Sequence, residues 1–69
     1  MTADEALETA GRELGQARAR IETAREALQA SLDGQVAPEV LEAIARLDRL
    51  AAGVAKVEQV VQGQAAASA

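Results

Sequence analysis

Cysteine, histidine, phenylalanine, tyrosine and tryptophan are all missing from this 69-residue chain, and each absence removes a class of chemistry. Without Cys there is no disulfide and no thiol nucleophile. Without Cys and His the soft-ligand metal sites disappear as well. No aromatic side chain is present to stack on a base or ring. Long apolar runs are also absent, and none approaches the ~20 residues that a membrane-spanning helix needs. Basic residues are in the minority, 7 against 11 acidic ones, for a formal charge of −4. That sign repels nucleic acid and anionic lipid at long range. The N-terminus, Met1-Thr2-Ala3-Asp4-Glu5, is acidic where a secretory signal is basic and then apolar. These features point to a cytoplasmic protein that binds neither nucleic acid nor a membrane.

What the chain does contain is a hydrophobic fraction of 49%, mostly Ala and aliphatics. At this length one domain is the ceiling, and a core of so few residues needs help from disulfides, metal, oligomerisation or a partner. The first two are excluded. Self-association or a protein partner is the expected stabiliser.

The first half carries a seven-residue rhythm. Leu7, Leu14, Ile21 and Leu28 form one column, and Ala3, Ala10, Ala17, Ala24 and Ser31 form the next, three positions on. A large column beside a small one suits close packing against another helix. The rhythm breaks once, at Leu32-Asp33-Gly34-Gln35-Val36-Ala37-Pro38. Gly34 can adopt the left-handed conformation that closes a helix, and Pro38 lacks a donor that a first helical turn does not use. Thr2-Ala3-Asp4-Glu5 matches the capping box that starts a helix. The pattern predicts a single domain over residues 1–63, with a helix over 3–32, a turn over 33–37 and a helix over 38–62. Gly63 is the expected stop, and residues 64–69 are expected to form a flexible tail of small residues. A turn this short forces the helices antiparallel. The fold class is therefore all-α, an antiparallel two-helix hairpin with Leu/Ala heptads that can assemble into a four-helix bundle.

Projection at 100° per residue separates the faces. The large residues of the first helix, with Leu32, fall within a sector of about 60°, flanked by the alanines on one side and by Arg18 and Arg25 on the other. On the second helix Val40, Ile44, Leu47, Leu50, Val54, Val57 and Val61 spread over roughly 140°, with Leu41 and Val60 beyond the edges. The second helix thus presents more apolar surface than the first can cover. Leu7, Leu14, Ile21 and Leu28 are the predicted hairpin seam. Leu41, Ile44, Leu50, Val54, Val57, Val60 and Val61 are the predicted partner-binding surface.

Three polar or small features interrupt this pattern. Glu58 projects into the centre of the second apolar stripe. There it needs Arg18, Arg25 or an incoming basic group, or it marks a place where the hairpin splays and admits water; splaying is the expectation. Gly11 and Gly15, one turn apart, sacrifice up to ~2 kcal/mol of helix propensity relative to alanine. They suit either a close backbone crossing or hinge, or an end that frays. Glu8 with Arg12 and Glu42 with Arg46 stand in the favourable four-residue orientation on solvated faces.

Catalysis has little to work with. The hydroxyls are Thr2, Thr9, Thr23, Ser31 and Ser68, with no imidazole or thiol to activate one. Two rods enclose no pocket to tune Lys56 or a carboxylate. The chain is expected not to be an enzyme, and to take no cofactor and no metal.

Leu28-Gln29-Ala30-Ser31-Leu32 leading into Asp33-Gly34, and the segment Arg49-Leu50-Ala51-Ala52-Gly53-Val54-Ala55-Lys56-Val57-Glu58-Gln59-Val60-Val61, resemble the small two-helix co-chaperones of type III secretion needle proteins. The likeness covers about residues 28 to 61. It implies a cytoplasmic co-chaperone that joins a tetratricopeptide-repeat chaperone to hold a needle subunit. The chain differs in having no aromatic or other bulky residue early in its second helix and in the very regular Leu/Ala heptads of its first. The overall plan also resembles Rop-like homodimers, which implies a self-paired four-helix scaffold or docking domain, here without the basic face of an RNA binder. The small subunit of exonuclease VII shares the short two-helix plan but not its Phe-rich pattern.

Overall fold

The computed structural model describes residues 1–68. Two helices, α1 (Ala3–Ser31) and α2 (Pro38–Ser68), account for nearly all of them. They pack against each other as an antiparallel hairpin. Thr2, in extended conformation, caps α1, its hydroxyl accepting from the Glu5 amide at 3.2 Å. Asp4 and Glu5 then place negative charge at the positive end of the helix dipole. At the other end the Leu32 amide donates to Gln29 and the Asp33 amide to Ala30, both at 3.2 Å. These three-residue closures tighten the last turn and satisfy carbonyls that the helix leaves free.

The reversal uses two left-handed residues, Asp33 (φ 48°) and Gly34 (φ 77°). Gly34 fits the expectation. Asp33 is tolerated because a short polar side chain visits that region at lower cost than others do. A bond from the Gln35 amide to the Leu32 carbonyl, at 2.8 Å, fastens the turn. Pro38 then opens α2, whose first bond runs from the Leu41 amide to the Ala37 carbonyl at 3.0 Å.

The C-terminal expectation needs correction: α2 does not stop at Gly63 but runs on to Ser68. A glycine costs a helix ~1 kcal/mol and does not forbid it, and Ala65, Ala66 and Ala67 are the strongest helix formers available. The flexible tail expected at 64–69 is thus helical as far as Ser68, and Ala69 lies outside the described residues.

The molecule is a rod, 50 × 16 × 13 Å, with a radius of gyration of 15.8 Å. A compact domain of this length would have about 11 Å. The difference arises because two helices make a single seam with nothing behind it. Ile44, 9% exposed, is the one buried hydrophobic side chain among the described residues. Val40, Leu47, Val54 and Val61 alternate with Ile44, Ala51 and Glu58 along α2, all buried or half-buried, in an unbroken four-three spacing. On α1 the large column Leu7, Leu14, Ile21 and Leu28 is half-buried as expected. Its small column behaves differently. Ala10 and Ala17 are half-buried, but Ala3, Ala24 and Ser31 are exposed, and Arg25 and Leu32 take the seam positions instead. The seam therefore rotates about α1 toward the arginines, leaving the outer alanines without a neighbour.

Candidate protein-docking surface

Arg18 and Arg25 each reach from α1 to a carboxylate on α2. Arg18 Nε donates to Glu58 Oε1 at 3.0 Å. Arg25 Nε lies 2.5 Å from Asp48 Oδ1, outside hydrogen-bond alignment, so that pair is a charge contact. Its Nη1 donates to Gln29 at 3.4 Å. Glu58, only 12% exposed at its side chain, occupies a heptad position where Ile44 and Ala51 precede it. The hairpin does not splay there, contrary to the expectation. Arg18, itself 44% exposed at its side chain, reaches the carboxylate from the edge of the seam. The hydrogen bond with Glu58, and then its charge, raise the Arg18 pKa above the usual guanidinium value, with Glu22 adding to the effect.

The predicted partner-binding residues divide into two groups. Ile44, Val54 and Val61 belong to the hairpin seam, Ile44 buried and the other two half-buried. Their side chains are needed to hold α1, so the reading of these three as an outward surface is corrected. Leu41 (44%), Leu50 (53%), Val57 (49%) and Val60 (64%) are exposed. The split follows from angle: the seam takes the side of the roughly 140° stripe that ends at Ile44, so Leu50 and Val57 at the opposite edge stay open, as do Leu41 and Val60 beyond the edges.

These four exposed residues do not share a side. Leu50, Gly53, Val57 and Val60 follow a three-four-three spacing along one flank of α2, a second heptad seam beside the first. Leu41 belongs to the opposite flank with Asp48, one heptad on. Nothing crowds Gly53, where an added Cβ would meet no atom within 4 Å, so another backbone can approach. Gly11 and Gly15 are not required by crowding either. A Cβ at Gly11 would rest 3.7 Å from Val61 Cγ1, an ordinary contact, and one at Gly15 would meet nothing within 4 Å.

No protein-family model, curated protein or solved structure matches this chain. The surface itself must carry the functional argument.

Two shallow concavities dent the rod. One is lined by Glu39, Glu42, Ala43 and Arg46. The other, of about 250 Å³, lies between Ile21, Glu22, Arg25 and Glu26 of α1 and Leu47, Asp48 and Ala51 of α2. Both are open grooves lined by ion-paired side chains. Among the described residues no group of three or more carboxylates converges as a metal ion would require. No described helix is long and apolar enough to cross a membrane. The tertiary arrangement adds one thing that the residues do not show singly: an apolar flank, Leu50 to Val60, running along a rod.

Proposed function

We propose that the chain is a non-enzymatic protein–protein interaction module, and that its docking surface is the Leu50–Val57–Val60 flank of α2. The observation that carries this reading is the exposure of these three aliphatic side chains, between 49% and 64%, at helix-packing spacing. Covering such a side chain completely is worth about 1.5 to 3 kcal/mol, so half-exposed ones still hold a useful share. The spacing suits a helix of the partner laid alongside.

In the cell this module is best understood as a small cytoplasmic co-chaperone that shields an apolar helix of its client. The resemblance of Leu28–Leu32 and Arg49–Val61 to needle co-chaperones supports that role, with a tetratricopeptide-repeat chaperone and a needle subunit as the partners. The second reading is a homodimeric four-helix scaffold of Rop-like plan, and a specific observation favours it. The chain exposes 5131 Å², where a compact monomer of 7.1 kDa would expose about 4,100 Å².

Replacing both Leu50 and Val57 by Ser tests the docking surface. The variant should keep its helical circular dichroism and lose its native partner in pull-down, with affinity falling about a hundredfold. Loss of helicity before loss of binding would return both residues to the core. Neighbouring reading frames that encode a repeat-protein chaperone and a needle subunit would favour the co-chaperone over the scaffold.

A further inference from the structure

The excess of exposed area, about 1,000 Å² over a compact monomer of the same mass, is close to the ~800 Å² that each partner contributes to a stable interface. Around α1, in a seven-residue repeat, Ala10, Ala17 and Ala24 lie about 50° from the large column in one direction, and Arg18 and Arg25 about 50° in the other. Around α2, Leu50 and Val57 lie about 50° from the Val40–Leu47–Val54–Val61 column in the first direction, and Asp48 about 100° in the second. In antiparallel helices, positions displaced in the same direction share a flank. The Arg25–Asp48 contact confirms this for the charged side. The alanines and the Leu50–Val60 flank therefore share the other side.

From this we infer that a second copy of the chain covers that side, related by a two-fold axis crossing the rod between Ala17 and residue 55. The proposal rests on the reading of the α2 flank as a docking surface and names its occupant. Gly11 stands beside Val61, and the same level rule places Ala17 abreast of residue 55. Ala17 is also the midpoint of α1. An axis there lays α1 antiparallel on α1 of the copy and α2 on α2.

On α2 this register sets Leu50 against the partner subunit's Val60, and Val57 over the partner subunit's Gly53, a large side chain above an open backbone. On α1 it sets Ala17 on the partner subunit's Ala17 and Ala10 on the partner subunit's Ala24, allowing close approach of the axes. Charge supplies an independent argument. Glu13 and Arg20 lie on this same side, one heptad apart and on either side of Ala17, both exposed and outside the ion pairs formed within the chain. The same two-fold brings Glu13 to the partner subunit's Arg20, and Arg20 to the partner subunit's Glu13. Self-complementarity of this kind, residue i on j and j on i, is what a two-fold interface requires. The rotation of the seam toward the arginines leaves Ala24 exposed and Ala10 and Ala17 only half-buried on this side.

Sedimentation of the intact chain between about 1 and about 100 µM tests the proposal. The wild type should sediment as a dimer of about 14 kDa, twice the 7.1 kDa chain. Glu13→Arg and Arg20→Glu should each weaken it about tenfold, because each sets like charges opposite one another. The double variant E13R/R20E should recover wild-type association, since every swapped residue then meets a swapped partner. A wild type that stays monomeric throughout overturns the second copy as occupant. A dimer that the double swap fails to restore overturns the register.

Failure of the docking surface itself is read separately. If the wild type is monomeric yet Leu50→Ser/Val57→Ser still abolishes binding of the native partner, only the choice of occupant was mistaken. If that variant matches the wild type in both assays, the flank is not a docking surface and both readings fall.

Discussion

Arg18 donates to Glu58 across 40 residues of sequence, and the pair sets a hydrogen-bonded carboxylate among the aliphatic side chains of the seam. A charge placed among apolar neighbours is a weak source of stability but a strong constraint on register, because slipping the hairpin by one turn would strand it. Arg18→Ala should therefore lower the melting temperature by leaving Glu58 unpaired at its shielded position. Arg18→Ala combined with Glu58→Leu should melt at or above wild type, since the seam then carries Leu where Ile44 and Ala51 already stand in the same column. Thermal melts of the three proteins decide it. Equal melting of wild type and the single variant would show that water, not Arg18, serves the carboxylate.

The sign of the pH dependence follows from the same pair. Its hydrogen bond to Glu58 raises the Arg18 pKa. A base raised on folding contributes stability fully below its unfolded pKa and loses it only as pH climbs through the folded value. For a guanidinium that loss lies at extreme alkalinity. The melting difference between wild type and the Arg18→Ala/Glu58→Leu variant should not change through arginine deprotonation between about pH 7 and about pH 11. A difference that drifted steadily across that window would assign the titration to another group.

The hairpin seam should respond steeply to charge. Leu14→Asp or Ile21→Asp puts an unpaired carboxylate in the column that holds the two helices together, at a cost of about 3 kcal/mol or more, enough to unfold a hairpin this small. Glu42→Ala or Arg46→Ala breaks the i,i+4 pair at 2.8 Å, which is solvated and worth at most about 0.5 kcal/mol. Similar melting temperatures for the two classes would mean that the faces are wrongly assigned. Glu8 and Arg12, also set four apart, do not close into an ion pair.

Glycine replacements should act in opposite directions. Gly15→Ala adds a methyl in open space, and Gly11→Ala adds one at an ordinary 3.7 Å from Val61. Each should stabilise α1 by about 0.5 to 1 kcal/mol. Gly34 has φ 77°, so Gly34→Ala should destabilise the turn by about 1 to 2 kcal/mol. Denaturant midpoints give the signs directly. Destabilisation by Gly15→Ala would restore the reading of this segment as a hinge or close crossing.

The two helices, the turn at Gly34 and Pro38, and the Leu7–Leu28 seam were legible because each depends on residues close in sequence: a cap, a breaker, a period. The Arg18–Glu58 pair was not, because a single-helix projection places Glu58 on the apolar stripe without saying what stands opposite. Only the level of α1 against α2 supplies Arg18. The passage of α2 through Gly63 is hidden for another reason: glycine can mark a stop, but three alanines in the next turn outweigh it. Ile44, Val54 and Val61 read as outward in the sequence because a stripe of roughly 140° does not show which part of it the other helix covers. Leu50 and Val57, at the stripe's edge, were readable as exposed from angle alone.

The residues just beyond the two edges of that stripe make the last prediction. Leu41 and Val60 are both exposed aliphatics on α2, 44% and 64%, and composition alone would treat them alike. Their surroundings differ. Leu41 shares its flank with Asp48, which is tied to Arg25, so a partner helix there would have to desolvate a charge contact. Val60 shares its flank with Leu50, Gly53 and Val57, and the nearest ion pair on that flank of α2, the solvated Glu42–Arg46, lies two turns before Gly53, outside the aliphatic stretch. Val60→Ser should weaken association about tenfold, the loss of roughly 1.4 kcal/mol from a partly buried aliphatic. Leu41→Ser should leave it unchanged, and neither should alter helicity. Binding isotherms of the two variants against the same partner, or sedimentation if that partner is a second copy, provide the comparison. A larger loss from Leu41→Ser would move the docking surface to the charged side of the rod, and a partner approaching there would have to carry its own charges to meet Arg25 and Asp48.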